Sequence, residues 1–269
     1  MRAACIQMNS TENKEKNLAT ARELLLEASR EADVLALPEY FNFLGPDGDM
    51  FRQAETSDGV SISMLREIAA SRRRYIVGGS IAERFSETKC RNTTFVIGPD
   101  GSIIGSYSKI HMFDISLKNG DQYRESDRVT PGDRILNLDT NFGRWGFTIC
   151  YDLRFPEIYR ALVMDGAKLV FVPSAFTMTT GRDHWEALLR CRAIENQVYV
   201  AAPAQVDSHQ GRMCYGRSMI VDPWGTVTAQ ASDTEGVIYA DISMDYLENV
   251  RSRIPCLEHS RMDLFSVKE

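Results

Sequence analysis

The chain has 269 residues, 43% of them hydrophobic and 25% charged, with 31 Lys+Arg against 37 Asp+Glu and a formal net charge of −6. That mixture excludes disordered and fibrous classes, and the acidic balance gives no basic field for a phosphate backbone, so small molecules rather than nucleic acid are the expected partners. A chain of this length can bury about three quarters of its unfolded surface as one α/β unit.

The opening MRAACIQMNSTENKEKN alternates from Arg2 to Met8 as a strand and lacks the apolar run of an export signal. The longest apolar runs, such as Leu169 to Val172, fall far short of the ~20 residues that span a bilayer, so no membrane association and a cytoplasmic location are expected. Leu18, Ala21, Leu25 and Ala28 recur at helical spacing, and Val34 to Leu37 is a short apolar strand closed by Pro38, which cannot donate to a sheet ladder. The stretch from Tyr40 to Asp49, rich in Pro, Gly and aromatics, reads as a loop over a site. A second helix over about Ile62 to Arg73 leads into the strand YIVGGSIAE. No segment is rich enough in Pro, Ser or Gly to link independent domains, so residues 1–269 are read as one.

Two echoes follow in the same order. VIGPDGSIIG (Val96 to Gly105) matches IVDPWGTVTA (Ile220 to Ala229), each a pair of strands around a Pro-x-Gly turn, and VLALPE (Val34 to Glu39) matches LVFVPS (Leu169 to Ser174). They suggest two similar halves, each a sheet covered by helices on one side. Strand–proline turns are common, so the duplication stays open at this level; the alternation of β and α elements points in either case to layered α/β architecture with mixed sheets.

The chemistry concentrates in RWGFTICYDLRFPE, Arg144 to Glu157. Trp145 to Ile149 reads as a buried strand and Phe155-Pro156-Glu157 as a helix start. Cys150 then falls in the passage from strand to helix, near backbone N–H groups expected to lower its pKa and to bind an oxyanion. The other cysteines, at 5, 90, 191, 214 and 256, are read as packing residues; with no CxxC, Cys/His finger or HExxH spacing, neither a metal nor a disulfide framework is expected. Spacing alone leaves the partner of the thiol open. His111 and His184 offer a Cys/His pair, whereas Glu39 directly after Pro38 is a carboxylate at the end of a buried strand, and Lys109 ends another strand.

LPEY around Glu39, YSKIHMFD around Lys109 and GFTICYDLRFPE around Cys150 resemble, in order and spacing, the nitrilase superfamily of carbon–nitrogen hydrolases. The likeness runs from CIQM through SAFTMTTGRDHWEALL and VDPWGTV to IPCLEHSRMDLF, and within the superfamily it is greatest to the amidase branch that includes omega-amidase and deaminated glutathione amidase. The resemblance implies a four-layer α-β-β-α sandwich with pseudo-twofold halves. It implies Glu39 as general base, Lys109 as cationic stabiliser, Cys150 as nucleophile and Glu125 as a second glutamate beside the lysine. Tyr151, Arg154, Phe176, Thr180 and His184 then correspond to substrate-binding positions, Tyr151 giving an oxyanion N–H and Arg154 holding a substrate carboxylate, with Ser174 lining the pocket beside Phe176 and Thr180, and Trp185 following His184. The implied activity is cofactor-free hydrolysis of a small, linear, carboxylate-bearing amide to acid and ammonia through a thioester. Alternatives are an N-carbamoyl amino acid amidohydrolase, a nitrilase, or a silent relative acting as a binding partner. A twofold homodimer, or a tetramer built from it, is expected, with the helix from Pro156 to Asp165 and the tail from about residue 250 at the contact.

Overall fold

The computed structural model describes residues 1–116, 122–209 and 212–264; Phe265, the end of the expected contact tail, lies outside them. The first half runs β1 (Arg2–Gln7), α1 (Lys14–Ala28), β2 (Val34–Ala36), α2 (Asp47–Arg52), α3 (Val60–Arg72), β3 (Tyr75–Val77), β4 (Ile81–Arg84), β5 (Cys90–Ile97) and β6 (Ile103–Ser108). A small antiparallel pair, β7 (Asp114–Ser116) and β8 (Gln122–Arg124), leads to β9 (Asn137–Thr140), β10 (Gly143–Phe147), α4 (Pro156–Met164), β11 (Leu169–Phe171), α5 (Met178–Asn196) and β12 (Tyr199–Ala202). The second antiparallel pair, β13 (Val206–His209) and β14 (Arg212–Tyr215), precedes β15 (Met219–Val221), β16 (Val227–Gln230), β17 (Gly236–Asp241) and α6 (Met244–Arg253).

Why these strands build a sandwich follows from side-chain alternation. Ala3 and Cys5 of β1, Val34 and Ala36 of β2, and Tyr75 and Val77 of β3 join a core that also holds Trp145, Phe147, Leu169 and Phe171 of β10 and β11. The residues between them, Ala4, Ile6, Leu35 and Ile76, pack instead on Ala21 and Leu25 of α1 and Ile62, Leu65 and Ala69 of α3. Both faces of the first sheet are therefore buried. On the far side, Ile158, Tyr159, Leu162 and Val163 of α4 and Trp185, Leu189 and Ala193 of α5 join the shared core. The layers are helix, sheet, sheet, helix.

The sequence echo is a structural repeat. In the first sheet β17, β1, β2, β3, β5 and β6 are neighbours in that order, and in the second β9, β10, β11, β12, β15 and β16 follow the same path. In each, the second to fourth members are parallel and the flanking ones antiparallel. Even the irregularities coincide, since the ladder shifts register at Val96/Ile97 and at Ile220/Val221, the matched positions before each Pro-x-Gly turn.

Two local expectations are corrected. YIVGGSIAE is one strand in periodicity but two in space, β3 and β4, because Gly78-Gly79 bends the edge so that both pieces pair with β5. In α4, Ile158, Leu162 and Val163 are spent on their own core, leaving Met164 as its exposed large apolar residue. Gly79 has φ +54°, and a Cβ there would stand 2.0 Å from the carbonyl oxygen of Pro38. Gly79→Ala is therefore expected to cost about 2–5 kcal/mol in strain and overlap, visible as a fall in Tm of roughly 5–15 °C by calorimetry. A Tm unchanged from the parent would show that the Pro38 turn relaxes freely.

Candidate active site

The carboxyl ends of β2, β6 and β10 lie at one edge of the sandwich, where an open α/β sheet presents its binding crevice. Glu39 comes three residues after the end of β2, Lys109 directly follows β6, and Cys150 begins a short 3₁₀ turn, Cys150–Arg154, after β10. The two sheets touch here through the Met8–Gln205 bridge, and Gln205 Nε2 donates to the backbone oxygen of Glu39 at 2.9 Å.

Lys109 and Glu39 are each 2% exposed. Lys109 Nζ donates to Glu39 Oε1 at 3.2 Å and to both oxygens of Glu125 at 3.0 and 2.8 Å. Glu39 is held further by Asn92 Nδ2 on Oε1 at 2.8 Å and by the backbone N–H of Ala175 on Oε2 at 2.8 Å. Glu125 Oε2 also accepts the N–H of Phe113 at 2.7 Å. Burial opposes the lysine charge, but the carboxylates of Glu125 and Glu39 outweigh it and hold the ammonium well above its ordinary pKa. Lys109 is thus a fixed cation rather than a proton carrier.

The pKa of the Cys150 thiol stands well above the ordinary value, first because of burial and then because of the Glu39 charge, with Lys109 acting in the opposite sense. This reverses the expectation of a thiol acidified by its strand-end position. The N–H groups of Cys150 and Asp152 are directed elsewhere, that of Cys150 to Pro173 O at 2.9 Å and that of Asp152 to Ile149 O at 3.0 Å. A neutral thiol beside a carboxylate needs that carboxylate as a base at the moment of attack.

Cys150 sits at φ +45° and Tyr40, after Glu39, at φ +55°. A non-glycine residue held there stores strain that its surroundings must enforce. At the cysteine turn the enforcer is Asp152, wholly buried. Its Oδ2 accepts the N–H of Ile149 at 2.9 Å and the hydroxyl of Tyr107 at 2.7 Å, while Oδ1 accepts the N–H of His111 at 3.0 Å and meets its Nδ1 at 2.7 Å. Tyr107 lies on β6, so one carboxylate ties the cysteine turn to the lysine strand.

A cavity of about 310 Å³, at the small end for a ligand site, opens over these groups. Of the residues singled out in the sequence, Glu39, Lys109, Glu125, Cys150, Tyr151, Phe176 and Thr180 line it, as do Tyr40, Leu44, Gly45 and Pro46 of the expected covering loop and Met50 of α2. Arg154 and His184 do not. The Arg154 guanidinium lies over the rings of Tyr151 and Phe176, at 5.8 and 5.2 Å from their centroids, and meets His184 Nδ1 at 3.3 Å. Ser174 is buried with its hydroxyl on Val172 O, and Trp185 is a core residue donating to Arg217 O. His111 stacks on Phe155 and is absent from the wall, so neither histidine considered as a partner for the thiol reaches the cavity.

Asn92, Gln205, Arg124 and Arg128 were not singled out by the sequence, and Asp152 was noted only as a polar flank of Cys150. Asn92 left a legible signal, an amide in the middle of the strand CRNTTFVI, where asparagine is disfavoured. Gln205 acts through contacts distant in the chain and left none, and Asp152, legible only as a polar flank of Cys150, adds the distant Tyr107 and His111 to its local bond with Ile149. Among the described residues no group of three or more His, Cys, Asp or Glu is placed to hold a metal, and no helix is long and apolar enough to cross a membrane.

Asp152→Asn places amide donors against the Ile149, Tyr107 and His111 donors. It is expected to retain the far-ultraviolet circular dichroism spectrum while lowering kcat on the order of 10- to 100-fold with a smaller change in KM. A larger effect on KM than on kcat would show that Asp152 shapes the cavity rather than the cysteine turn.

The carbon–nitrogen hydrolase family model matches residues 2–252. A deaminated glutathione amidase of Synechocystis sp. is 40% identical over 264 residues, covering 96% of this chain and 97% of the relative. An omega-amidase of Mus musculus is 40% identical over 272 residues, covering 99% and 97%. Among solved structures, the C. elegans NitFhit protein superposes with a TM-score of 0.92 at 36% identity over 98% of this chain, which spans 65% of that protein. A nitrilase-superfamily member of Saccharomyces cerevisiae gives a TM-score of 0.87 at 32% identity, covering 95% of this chain and 94% of that one.

Proposed function

The chain belongs to the carbon–nitrogen hydrolase family, and from that premise we propose that it is a cofactor-free amidase that hydrolyses a small, linear, carboxylate-bearing amide to acid and ammonia. The observation that carries this reading is the meeting of Cys150, Glu39 and a permanently charged Lys109 at the wall of one small cavity. The full-length likeness to an omega-amidase and a deaminated glutathione amidase supports the amide over a nitrile or N-carbamoyl substrate.

In the proposed mechanism Glu39 takes the thiol proton as Cys150 Sγ attacks the amide carbon, forming the C–S bond and placing the carbonyl electron pair on oxygen. The oxyanion is met by Lys109 Nζ and by the N–H of Tyr151, which lies in the first turn of its 3₁₀ segment, where helix geometry supplies no internal acceptor. Glu39, now a carboxylic acid, protonates the amide nitrogen. The C–N bond breaks, ammonia leaves and a thioester remains. Glu39 then deprotonates a water, hydroxide adds to the thioester, the C–S bond breaks and the thiol regains its proton. Glu125 keeps Lys109 aimed and charged throughout.

We place the activity in the cytoplasm of a one-domain protein that forms a twofold homodimer. With α4 turned inward, the proposed contact rests on Met164, 55% exposed, and on Ile254, Met262 and Leu264 of the tail, 46, 50 and 64% exposed. Light scattering at micromolar concentration is expected to give twice the monomer's 30.4 kDa; a monomer mass overturns the dimer.

Ammonia release from succinamate and butanamide, beside an N-carbamoyl amino acid and a nitrile, tests the reaction. Cys150→Ala is expected to lose more than about 10³-fold in kcat. Glu39→Gln is expected to lose roughly 10²- to 10⁴-fold, whereas His111→Ala keeps a measurable fraction. An active Glu39→Gln with an inactive His111→Ala would transfer the base to the histidine, and Cys150→Ala turning over near the parent rate would end the thioester route.

A further inference from the structure

The amidase reading requires a cation for the substrate carboxylate, and the structure withholds the expected one, because Arg154 lies outside the cavity wall, over Tyr151 and Phe176. Lys109 lines the wall but is already shared by Glu39 and Glu125. Two further cations line it, Arg124 at the end of β8 and Arg128 just after the 3₁₀ turn Glu125–Asp127. Counting the described wall, three cations face the carboxylates of Glu39 and Glu125. After Lys109 has met both, the two arginines leave a local charge of +1 in a chain whose net charge is −6. The facing acids are Asp114, opposite Arg124 in the β7–β8 ladder, and Asp127 within the turn, both exposed. The Arg124 guanidinium helps to hold the exposed Asp114 carboxyl below its ordinary pKa, while Arg128 has no ion pair among the described residues. Much of the remaining wall is apolar, including Leu44, Pro46, Met50, Val129 and Met213.

We propose that Arg124 and Arg128 form the carboxylate-recognition point of this cavity, taking the terminal carboxylate of the amide substrate. This inference rests on the amidase reading for its substrate and extends it by a site. Guanidinium groups suit a carboxylate through paired hydrogen bonds. Their position is tied to the reacting centre, since the same turn carries Glu125, whose backbone oxygen accepts the N–H of Arg128 at 3.2 Å and that of Val129 at 2.9 Å, while its side chain grips Lys109. The separation between anion point and nucleophile is therefore set by one short, braced segment, and it selects substrate length as well as charge. Arg154, on this reading, holds the aromatic rim.

The experiment compares the parent, Arg124→Gln, Arg128→Gln, the double variant and Arg154→Gln on succinamate and on butanamide, which has the same chain length without the charge. In the double variant the KM for succinamate is expected to rise at least tenfold more than the KM for butanamide, with kcat for succinamate changed much less. Added salt should raise the parent's KM for succinamate and do so less in the double variant. Equal rises for both amides, or a carboxylate-selective rise in Arg154→Gln alone, overturn the proposal. Succinate binding to Cys150→Ala, measured by calorimetry with and without the two arginine substitutions, gives a readout independent of turnover. At least tenfold weaker binding without the arginines supports the site even where no amide is hydrolysed, and undiminished binding overturns it. Failure of the parent to hydrolyse any of the amides overturns the amidase reading separately.

Discussion

A lysine ammonium buried between two carboxylates is the constraint around which the rest of this molecule is arranged. Removing such charges from water costs several kcal/mol per ion, and their attraction offsets that only where each remaining lone pair is also met. The contacts follow that demand. Glu39 takes Asn92 from β5 and the Ala175 amide from beyond β11, Glu125 takes the Phe113 amide, and Lys109 divides its donors between the two acids. The partners come from both sheets, so the charge cluster exists only when the sandwich is closed.

The cysteine turn is the second consequence. Burial and the Glu39 charge both raise the pKa of the Cys150 thiol, so its thiolate character depends on the groups around it. Reactivity then depends on holding sulfur and carboxylate in a single geometry, and the left-handed backbone at Cys150 needs a rigid frame to persist. Asp152 supplies that frame from within the turn and reaches β6 through Tyr107. Positioning and chemistry thus share one hydrogen-bond network without sharing a residue.

The repeat gives two equivalent strand ends and the chemistry uses them unequally. The turns LPE and VPS occupy matched places after β2 and β11. One ends in the carboxylate of Glu39; the other ends in Ser174, whose hydroxyl is internal, followed by Ala175, whose N–H fixes that carboxylate. One half supplies the carboxylate and the other orients it. A pseudo-twofold fold thereby makes an asymmetric site at the edge where its sheets meet.

Sequence alone determined that α and β elements alternate in layers and that several strands stop at proline. Period-2 alternation, helical spacing and proline stops are local, so Ala3 and Cys5 facing one way and Ala4 and Ile6 the other follow from the pleat, and the Pro-x-Gly echoes marked the duplicated hairpins that the two sheets contain. Glu39, Lys109 and Cys150 were legible because each stands at the end of a strand within a distinctive motif. Only the tertiary structure decided what faces them. Whether a thiol is acidified depends on the balance of burial, a carboxylate and an ammonium drawn from three distant segments, and that balance reversed the local expectation at Cys150. Whether Arg154 or the pair Arg124 and Arg128 reaches the cavity depends on where long side chains point after packing. Spacing along a chain fixes the end of a strand, whereas electrostatics and reach are set by distances through space, which the order of residues does not contain.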